Sequence, residues 1–316
     1  MNNVLILGAN GLVGSSFDYG IKLGRKEVDL LDFNKTLDVI NYYKPDAIVN
    51  CAGQVGGVQA NMDYKFDFFK NNMLINMNVI EASMKAGVPN LISFLSTCIF
   101  PDELAQKKVL TESDLHQGEP HHSNYPYAYA KRMTQVLTQI AREQGFNYQN
   151  LIPCNLYGFN DNFNLEKSHL IPALIRKFYL SHTQADYEVE IWGDGTPIRE
   201  FIFANDIPKI VELILLNNYK FDEMIISPNY NYSIHEIALL IEEIVLKREN
   251  THYKPNSYFY NKSKPNGQKQ KQTYSDKFHD FCNEFDFKLT SLPNGLEQTF
   301  NHFENKFLNN QNELKL

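Results

Sequence analysis

The sequence predicts an α/β fold in which a doubly wound parallel sheet is followed by a smaller C-terminal α/β lobe. Two observations support this fold class. Short apolar runs recur through the first half of the chain, at Val4–Leu7, Ala47–Asn50, Leu91–Leu95 and Asn150–Pro153. Segments with helical apolar spacing separate them, above all Phe66–Ala86. Short apolar runs are typical of strands buried on both faces, and strands that alternate with helices form parallel sheets.

A glycine-rich turn follows the first predicted strand. Gly8, Gly11 and Gly14 have the spacing G-x-x-G-x-x-G, a variant of the dinucleotide fingerprint. The first glycine allows a tight turn, the second lets a pyrophosphate approach the backbone, and the third allows close packing of helix on strand. The N-terminus of the following helix stabilises the phosphates. The turn predicts a Rossmann-type nucleotide site; the alternative is an ordinary glycine-rich turn.

The first crossover is short. Only Ser15–Tyr19 can form its helix before a second strand, predicted near Ile21–Leu23, whereas a crossover normally takes about a dozen residues or more. Arg25 follows the end of this strand. A basic residue there suits the 2′-phosphate of NADP, since NAD binders usually have an acidic residue at this place. The sequence thus favours NADP(H), and the alternative is that Arg25 is only solvated.

The character of the sequence changes after residue 158. Loops become longer, and polar and aromatic residues are mixed, although Ile171–Leu180 and Ile234–Leu246 keep a helical pattern. We therefore expect an NADP(H)-binding domain at residues 1–158, with a returning segment near residues 200–216. Residues 159–316 are expected to form mainly the substrate lobe.

Composition limits the function classes. The chain has 316 residues and a formal net charge of −7, which argues against a general nucleic-acid binder. No apolar run approaches the roughly 20 residues that cross a bilayer, so we expect no membrane partner. Cys51, Cys98, Cys154 and Cys282 are scattered without a Cys-x-x-Cys pair, so we expect neither a bound metal nor a disulfide framework. These features fit a cytoplasmic protein.

The segment that begins at Tyr127 carries the first candidate chemistry. Its apolar residues recur at helical spacing, so Tyr127 and Lys131 share one helix face. An ammonium beside a phenol favours the phenolate, so we expect Lys131 to lower the pKa of Tyr127 and make it a usable proton donor. Ser96 follows a predicted strand, at the edge where open sheets bind ligands. Read alone, the Tyr–Lys pair is also consistent with a solvated helix face.

Ser96, Tyr127 and Lys131 in a glycine-fingerprint fold resemble the short-chain dehydrogenase/reductase superfamily, in its extended branch that acts on nucleotide sugars. Six segments resemble the GDP-L-fucose synthase family: Val55–Asn61, Ser96–Pro101, Pro126–Lys131, Asn155–Gly158 with Asp161–Phe163, His169–Phe178 and Trp192–Phe201. The resemblance implies an NADPH-dependent enzyme that converts a GDP-4-keto-6-deoxy-hexose into a GDP-deoxysugar such as GDP-L-fucose, by 3,5-epimerisation and 4-reduction. We also expect a homodimer.

The resemblance implies roles for individual residues. Tyr127 would protonate the carbonyl oxygen, Ser96 would hydrogen-bond it, and Lys131 would hold the nicotinamide ribose. Cys98 and His169 would be the acid/base pair of epimerisation. The expected cofactor-binding residues are Gly8, Asn10, Gly11, Leu12, Val13, Gly14, Arg25, Ala52, Lys131, Asn155 and His169. The expected residues for the GDP-sugar substrate are Asn155, Lys177, Trp192, Arg199 and Lys264.

Departures from the family pattern leave alternatives open. Ala9 and Asn10 stand where the family has His-Arg, and Gln54 replaces a lysine. Lys177 replaces an arginine, which removes a bidentate donor. A C4-reductase that acts on a related GDP-4-keto sugar or heptose without epimerisation is the main alternative. A non-catalytic nucleotide sensor would not need all five catalytic residues. An NAD-retaining epimerase or a dehydratase is a further alternative, but dehydratases usually have acidic residues next to the strand-end serine or threonine, where this chain has Cys98 and Ile99 after Thr97.

Overall fold

The structure is a computed structural model, and it describes residues 3–184, 187–248, 258–264 and 266–309, without the side chains of Val58 and Gln59. The chain divides into two compact units. The first contains Met1–Cys154, Ala204–Ser227 and Thr273–Lys288, and the second contains Asn155–Phe203, Pro228–Gln272 and Leu289–Leu316. The predicted domains at residues 1–158 and 159–316 include residues outside the described ranges, and their assignment to cofactor and substrate stays a prediction.

The described strands and helices are as follows. The strands are β1 (Val4–Leu7), β2 (Ile21–Leu23), β3 (Ala47–Asn50), β4 (Asn90–Phe94), β5 (Asn147–Pro153), β6 (Asn155–Tyr157), β7 (Val189–Trp192), β8 (Ile198–Arg199), β9 (Phe201–Phe203), β10 (Glu223–Ile226), β11 (Tyr232–Ser233) and β12 (Tyr258–Asn261). The helices are α1 (Leu12–Ser16), α2 (Phe33–Tyr43), α3 (Val58–Asp63), α4 (Lys65–Lys85), α5 (Asp102–Ala105), α6 (Tyr125–Glu143), α7 (Leu170–Thr183), α8 (Ile207–Leu216), α9 (Ile234–Leu246), α10 (Asp276–Glu284) and α11 (Leu292–Asn309). No helix in this part of the chain is long and apolar enough to cross a membrane.

The first unit is built around a six-stranded sheet. Its strand order is β10-β5-β4-β3-β1-β2, and every neighbouring pair is parallel. All residues of β1 and β3 are buried, as is typical of strands in parallel sheets with covered faces. The predicted doubly wound α/β fold is confirmed.

The strand order of the sheet reverses at β1. β2 pairs with one edge of β1 and β3 with the other, so Leu7 is aligned with both Leu23 and Asn50. In open parallel sheets, ligands bind beyond the strand ends at such a point. The turn after β1 and the segment after β3 therefore lie where a ligand is expected.

The first crossover is short, as predicted, and β2 lies at the predicted Ile21–Leu23. Its helix was predicted at Ser15–Tyr19 and instead lies at Leu12–Ser16, because the glycine turn leads directly into it, with Gly11 as its N-cap. A segment from later in the chain packs against it. The Tyr19 hydroxyl donates to the carbonyl oxygen of Pro208 at 2.8 Å, and the Ser16 hydroxyl donates to that of Ala204 at 3.3 Å. The start of α8 thus supports the shortened crossover within the first unit.

α6 presents Lys131 to the sheet. The helix begins at Tyr125, with Pro126 in its first turn, where the missing N–H has no intrahelical acceptor to lose. Ala128, Lys131 and Thr138 are buried, whereas Ile140 is exposed. α6 also packs along α4. A lysine on the buried face of this helix is thereby held close to the strand ends.

The second unit has its own core. α7 packs on α9, α9 packs on α11, and the buried rings between them include Phe163, Phe178 and Phe303. α9 begins at Ile234 and ends at Leu246, as predicted. It starts there because Ser233 Oγ accepts the N–H of Glu236 at 3.1 Å while the Glu236 carboxylate accepts the N–H of Ser233 at 2.7 Å.

Candidate active site

The turn after β1 follows a path that only glycine permits. Gly8 has a φ of +77°, and a Cβ there would lie 2.7 Å from backbone atoms of Ala52. A Cβ on Gly14 would lie 2.3 Å from the carbonyl oxygen of Gly8. The turn therefore packs directly on the segment after β3 and on α1. This close backbone packing fits a dinucleotide, whose pyrophosphate needs a backbone free of side chains.

An amide and a cation lie at the end of β2. The amide of Asn10 packs on Gly24, since a Cβ on Gly24 would lie 2.2 Å from Nδ2 of Asn10. The N–H of Gly24 donates to Oε2 of Glu27 at 2.8 Å. Arg25 is exposed, and its guanidinium has no ion-pair or hydrogen-bond partner within the described ranges. These donors fit an adenosine ribose that carries a 2′-phosphate.

Ser96, Cys98 and Tyr127 come together beyond β4. Ser96 caps a short 3₁₀ helix at Thr97–Ile99, where its Oγ accepts the N–H of Cys98 at 3.3 Å. The phenol of Tyr127 forms a side-chain hydrogen bond with Ser96, and the Cys98 thiol lies near enough to affect the pKa of the phenol. Three of the predicted catalytic residues are therefore neighbours, and their roles stay predictions.

The protonation of Tyr127 differs from the prediction. Burial raises the pKa of the phenol, the Cys98 thiol raises it further, and the hydrogen bond with Ser96 opposes these effects only in part. The expected lowering by Lys131 is wrong. Its Nζ lies 6.0 Å from the centroid of the Tyr127 ring and donates to the carbonyl oxygen of Phe94 at 2.8 Å. The phenol is therefore protonated at neutral pH.

Lys131 is enclosed, with 4% of its surface exposed. Burial lowers the pKa of its ammonium to about 8, and the neighbouring Cys51 opposes this shift. A Cβ on Gly53 would lie 3.6 Å from Nζ of Lys131 and 3.1 Å from Oδ1 of Asn72. The segment after β3 thus runs directly past the ammonium, and Gly53 keeps the space beside it open.

Asn72 holds this segment in place and was not predicted from the sequence. It is fully buried on α4 and pairs with the backbone of Gln54 in both directions. Its Oδ1 accepts the N–H of Gln54 at 3.0 Å, and its Nδ2 donates to the carbonyl oxygens of Gln54 at 3.0 Å and Phe68 at 2.7 Å. The available signal was a series of asparagines within the predicted helical segment, at Asn71, Asn72, Asn76 and Asn78.

His169 and Asn155 belong to the second unit. His169 is exposed and directly precedes the first turn of α7. Nδ2 of Asn155 donates to the carbonyl oxygen of Glu200 at 2.7 Å, beside the parallel pairing of β6 with β9. The predicted roles of both residues, toward cofactor and substrate, stay predictions.

The other predicted substrate residues also lie in the second unit. Nζ of Lys264 lies 5.2 Å from the centroid of the Trp192 indole, which is 45% exposed. Nζ of Lys177 donates to the carbonyl oxygen of Glu190 on the same strand as Trp192, at 2.7 Å. Arg199 donates to the carbonyl oxygen of the preceding residue at 2.8 Å. An exposed aromatic face beside cations is an arrangement that suits a nucleotide.

Known proteins resemble this chain in sequence. Residues 4–227 match the family model described as the NAD dependent epimerase/dehydratase family. A probable GDP-L-fucose synthase of Drosophila melanogaster is 31% identical over 306 residues, which cover 91% of this chain and 93% of that protein. A GDP-L-colitose synthase of Yersinia pseudotuberculosis is 33% identical over 316 residues, which cover 96% of this chain and 98% of that protein.

The likeness extends to solved structures. A crystal structure of a GDP-L-fucose synthetase from Naegleria fowleri bound to NADP has a TM-score of 0.83 and 27% identity, and the match covers 99% of this chain and 96% of that chain. The matched family region contains the glycine turn, Ser96, Tyr127 and Lys131. This chain therefore belongs to the NAD dependent epimerase/dehydratase family, in the group that contains the GDP-L-fucose synthases.

Proposed function

We propose that this chain is an NADPH-dependent epimerase/reductase that converts a GDP-4-keto-6-deoxy-hexose into a GDP-deoxysugar such as GDP-L-fucose. The cluster beyond β4 carries the proposal: the phenol of Tyr127 bonded to Ser96, the thiol of Cys98 nearby, and the buried ammonium of Lys131. The relatives named GDP-L-fucose synthase support the GDP-sugar, and the similar structure bound to NADP supports the cofactor.

Tyr127 and Ser96 act on the 4-keto oxygen of the sugar. The dinucleotide, when bound, supplies the hydride for carbon 4. Negative charge develops on the oxygen during reduction, so Tyr127 donates its phenolic proton there while Ser96 donates a hydrogen bond. The raised pKa of Tyr127 keeps this proton on the phenol until the oxygen becomes basic.

Lys131 supports the reduction from the helix turn that follows Tyr127. With a pKa of about 8, its ammonium is mostly protonated at neutral pH. One of its three N–H donors is used by the carbonyl oxygen of Phe94. The others would hold the nicotinamide ribose.

Cys98 and His169 exchange protons at carbons 3 and 5. The 4-keto group acidifies the C–H bonds on either side of it, and a thiol and an imidazole can each take up and release a proton. Inversion needs removal on one face of the ring and return on the other. Two groups from separate elements of the chain can supply this.

The GDP part of the substrate binds to Asn155, Lys177, Trp192, Arg199 and Lys264. The exposed indole offers an apolar face to the nucleotide, and the cations offset the charge of the pyrophosphate. The contact between Lys264 and the Trp192 ring supports this assignment, since it brings a cation and an aromatic face to one place.

The protein acts as a homodimer in the cytoplasm. Two packed helices of the first unit support the dimer, because each has exposed apolar side chains at helical spacing: Phe66, Phe69 and Met77 on α4, and Val136 and Ile140 on α6. Exposed apolar surface of this kind is typical of protein contacts. Light scattering would give twice the mass of the chain for a dimer and the mass of one chain otherwise.

A second candidate function is C4-reduction alone, on a related GDP-4-keto sugar or heptose. The similarity to a protein named GDP-L-colitose synthase over nearly the whole chain favours the related-sugar part of this alternative, since it indicates that sugars vary among relatives. Lys177 in place of the family's arginine points the same way.

Hydrogen exchange separates the two candidates. The protein is incubated with a GDP-4-keto-6-deoxy-hexose in heavy water without NADPH, deuterium at carbons 3 and 5 is followed by NMR, and NADPH is then added. Exchange at both carbons followed by reduction is expected, and Cys98→Ser should slow the exchange while leaving reduction of an epimerised sugar intact. Reduction without exchange would support the C4-reductase. If neither exchange nor reduction occurs, the proposed function is wrong.

A further inference from the structure

The carboxylate of Glu190 lies at the centre of the candidate nucleotide site in the second unit. Oε2 of Glu190 accepts Nε1–H of Trp192 at 3.2 Å, and Oε1 accepts Nδ2–H of Asn261 at 2.5 Å. Both carboxylate oxygens are thus engaged by groups that border the exposed indole. The backbone carbonyl of the same residue accepts the ammonium of Lys177 at 2.7 Å.

The pairing of β7 with β12 explains this arrangement. Glu190 and Trp192 are two residues apart on β7, so their side chains project from the same face of the strand. Asn261 is aligned with Trp192 in the parallel register and brings its amide to the same place. The N–H of Gly193 also donates to the carbonyl oxygen of Asn261 at 3.0 Å, which fixes the end of β7 to β12.

We propose that Glu190 is a positioning residue for GDP-sugar binding, which orients the Trp192 indole through its N–H and ties it to β12 through Asn261. The inference rests on the proposed function, because it takes the indole face as a surface for the nucleotide. An exposed indole held only by its own side-chain torsions must lose rotational freedom when a ligand packs on it, and this loss weakens binding. The carboxylate orders the ring beforehand.

The charge of Glu190 is offset locally, so it need not repel the pyrophosphate. Hydrogen bonding by Asn261, and then by Trp192, holds the pKa of the carboxyl below its ordinary value, and the charges of Lys177 and Lys264 add to this lowering. Lys264 lies at the face of the ring and Glu190 at its edge. The indole is therefore held from two sides by opposite charges, with part of its surface open.

Trp192 makes the proposal directly measurable, because it is the only tryptophan in the chain. Its fluorescence reports on this site alone, without substitution or labelling. We would titrate the full-length protein with GDP while following this fluorescence, measure acrylamide quenching of the unliganded protein, and determine KM and kcat for the GDP-4-keto sugar with NADPH. The variants are Glu190→Gln, Glu190→Ala and the control Glu188→Gln, an exposed carboxylate two residues earlier.

Glu190→Gln leaves one acceptor oxygen and Glu190→Ala leaves none, so their effects should be graded. We expect KM for the GDP-sugar and Kd for GDP to rise about fivefold in Glu190→Gln and about tenfold in Glu190→Ala. In both variants kcat should stay within about twofold of the wild-type value. Acrylamide quenching of Trp192 should increase in the same order, and Glu188→Gln should match the wild type.

Two results would overturn the positioning role. The first is that Glu190→Ala shows the same acrylamide quenching and the same KM as the wild type. The second is that Glu190→Ala loses kcat and affinity for the GDP-sugar equally and has a lower melting temperature, which would indicate a general structural role. A wild-type protein whose fluorescence does not respond to GDP and which reduces no GDP-4-keto sugar would instead refute the proposed function, so the two failures are distinguishable.

Discussion

The proposed reactive cluster of the first unit and the side chains of the second unit that we propose to bind the nucleotide are held in different ways. Lys131 is 4% exposed and donates to a backbone carbonyl, and its pKa is set mainly by burial. Trp192 is 45% exposed and is oriented by another side chain, Glu190. Burial changes proton affinities, whereas exposure leaves a surface open for a ligand. In the proposed function, reduction thus depends on the enclosed Lys131, whereas the nucleotide packs on the exposed indole of Trp192.

The strongest test of the proposed reactive cluster is Tyr127→Phe. The substitution keeps the ring and removes the proton donor, so kcat for reduction should fall about 100-fold or more, while the affinity for NADPH stays close to wild type. Single-turnover oxidation of NADPH with a GDP-4-keto sugar measures the step directly.

Tyr129→Phe is the matched control for this prediction. Tyr129 lies on the same helix, where its ring packs under the guanidinium of Arg132 at 5.5 Å, and it has no part in the proposed reaction. Its loss should leave kcat unchanged. A Tyr127→Phe variant that is as active as Tyr129→Phe would remove the distinction between an enclosed reactive cluster and its surroundings.

Much of this cluster could be predicted from the sequence, but its electrostatics could not. The helical spacing correctly placed Tyr127 and Lys131 on one helix, and the strand-end position placed Ser96 near them. The four-residue spacing of Tyr127 and Lys131 does not show how deeply each side chain is buried, and burial decides the direction in which the pKa of Tyr127 shifts. Asn72 was missed for a related reason, since its partner is the backbone of Gln54, and backbone groups have no sequence signature.

The pH dependence of reduction tests whether burial sets the reactivity of Lys131. Its pKa is lowered from 10.5 to about 8, so the ammonium is present below that pH and is lost as the pH rises through it. Tyr127, whose pKa is raised, remains protonated over this range. We therefore expect kcat/KM to fall by up to about tenfold per pH unit above the pKa of Lys131. A profile that stays flat until the ordinary pKa of lysine would show that burial does not control this group.

Asn72→Ala tests whether the segment beside Lys131 must be clamped. The variant leaves the N–H and carbonyl oxygen of Gln54 without their partner, and the segment gains freedom where the nicotinamide is expected. We expect kcat to fall roughly tenfold, with a loss of about 1–3 kcal/mol in the free energy of unfolding.

Asn78→Ala separates positioning from stability in this case. Asn78 is also buried on α4, but its amide donates to the carbonyl oxygen of Leu30 at 2.9 Å. It should lower stability by a similar amount, measured by urea denaturation, and leave kcat unchanged. Equal kcat losses in both variants would assign the effect of Asn72 to the stability of the helix.

Arg25 gives the smallest expected effect and the sharpest test of the comparison, because it lies in the first unit yet is exposed. If exposure rather than unit decides how a group acts, Arg25 should contribute to binding and not to the chemical step. Arg25→Ala should raise Kd for NADPH about fivefold and leave Kd for NADH and kcat unchanged. The difference in Kd for NADPH between wild type and variant should shrink with added salt, because salt screens the attraction between an exposed cation and a phosphate. Lys26→Ala, the adjacent exposed cation, is the control. Equal losses in the two variants would indicate a diffuse positive charge, whereas a loss confined to Arg25 supports a direct contact with the 2′-phosphate.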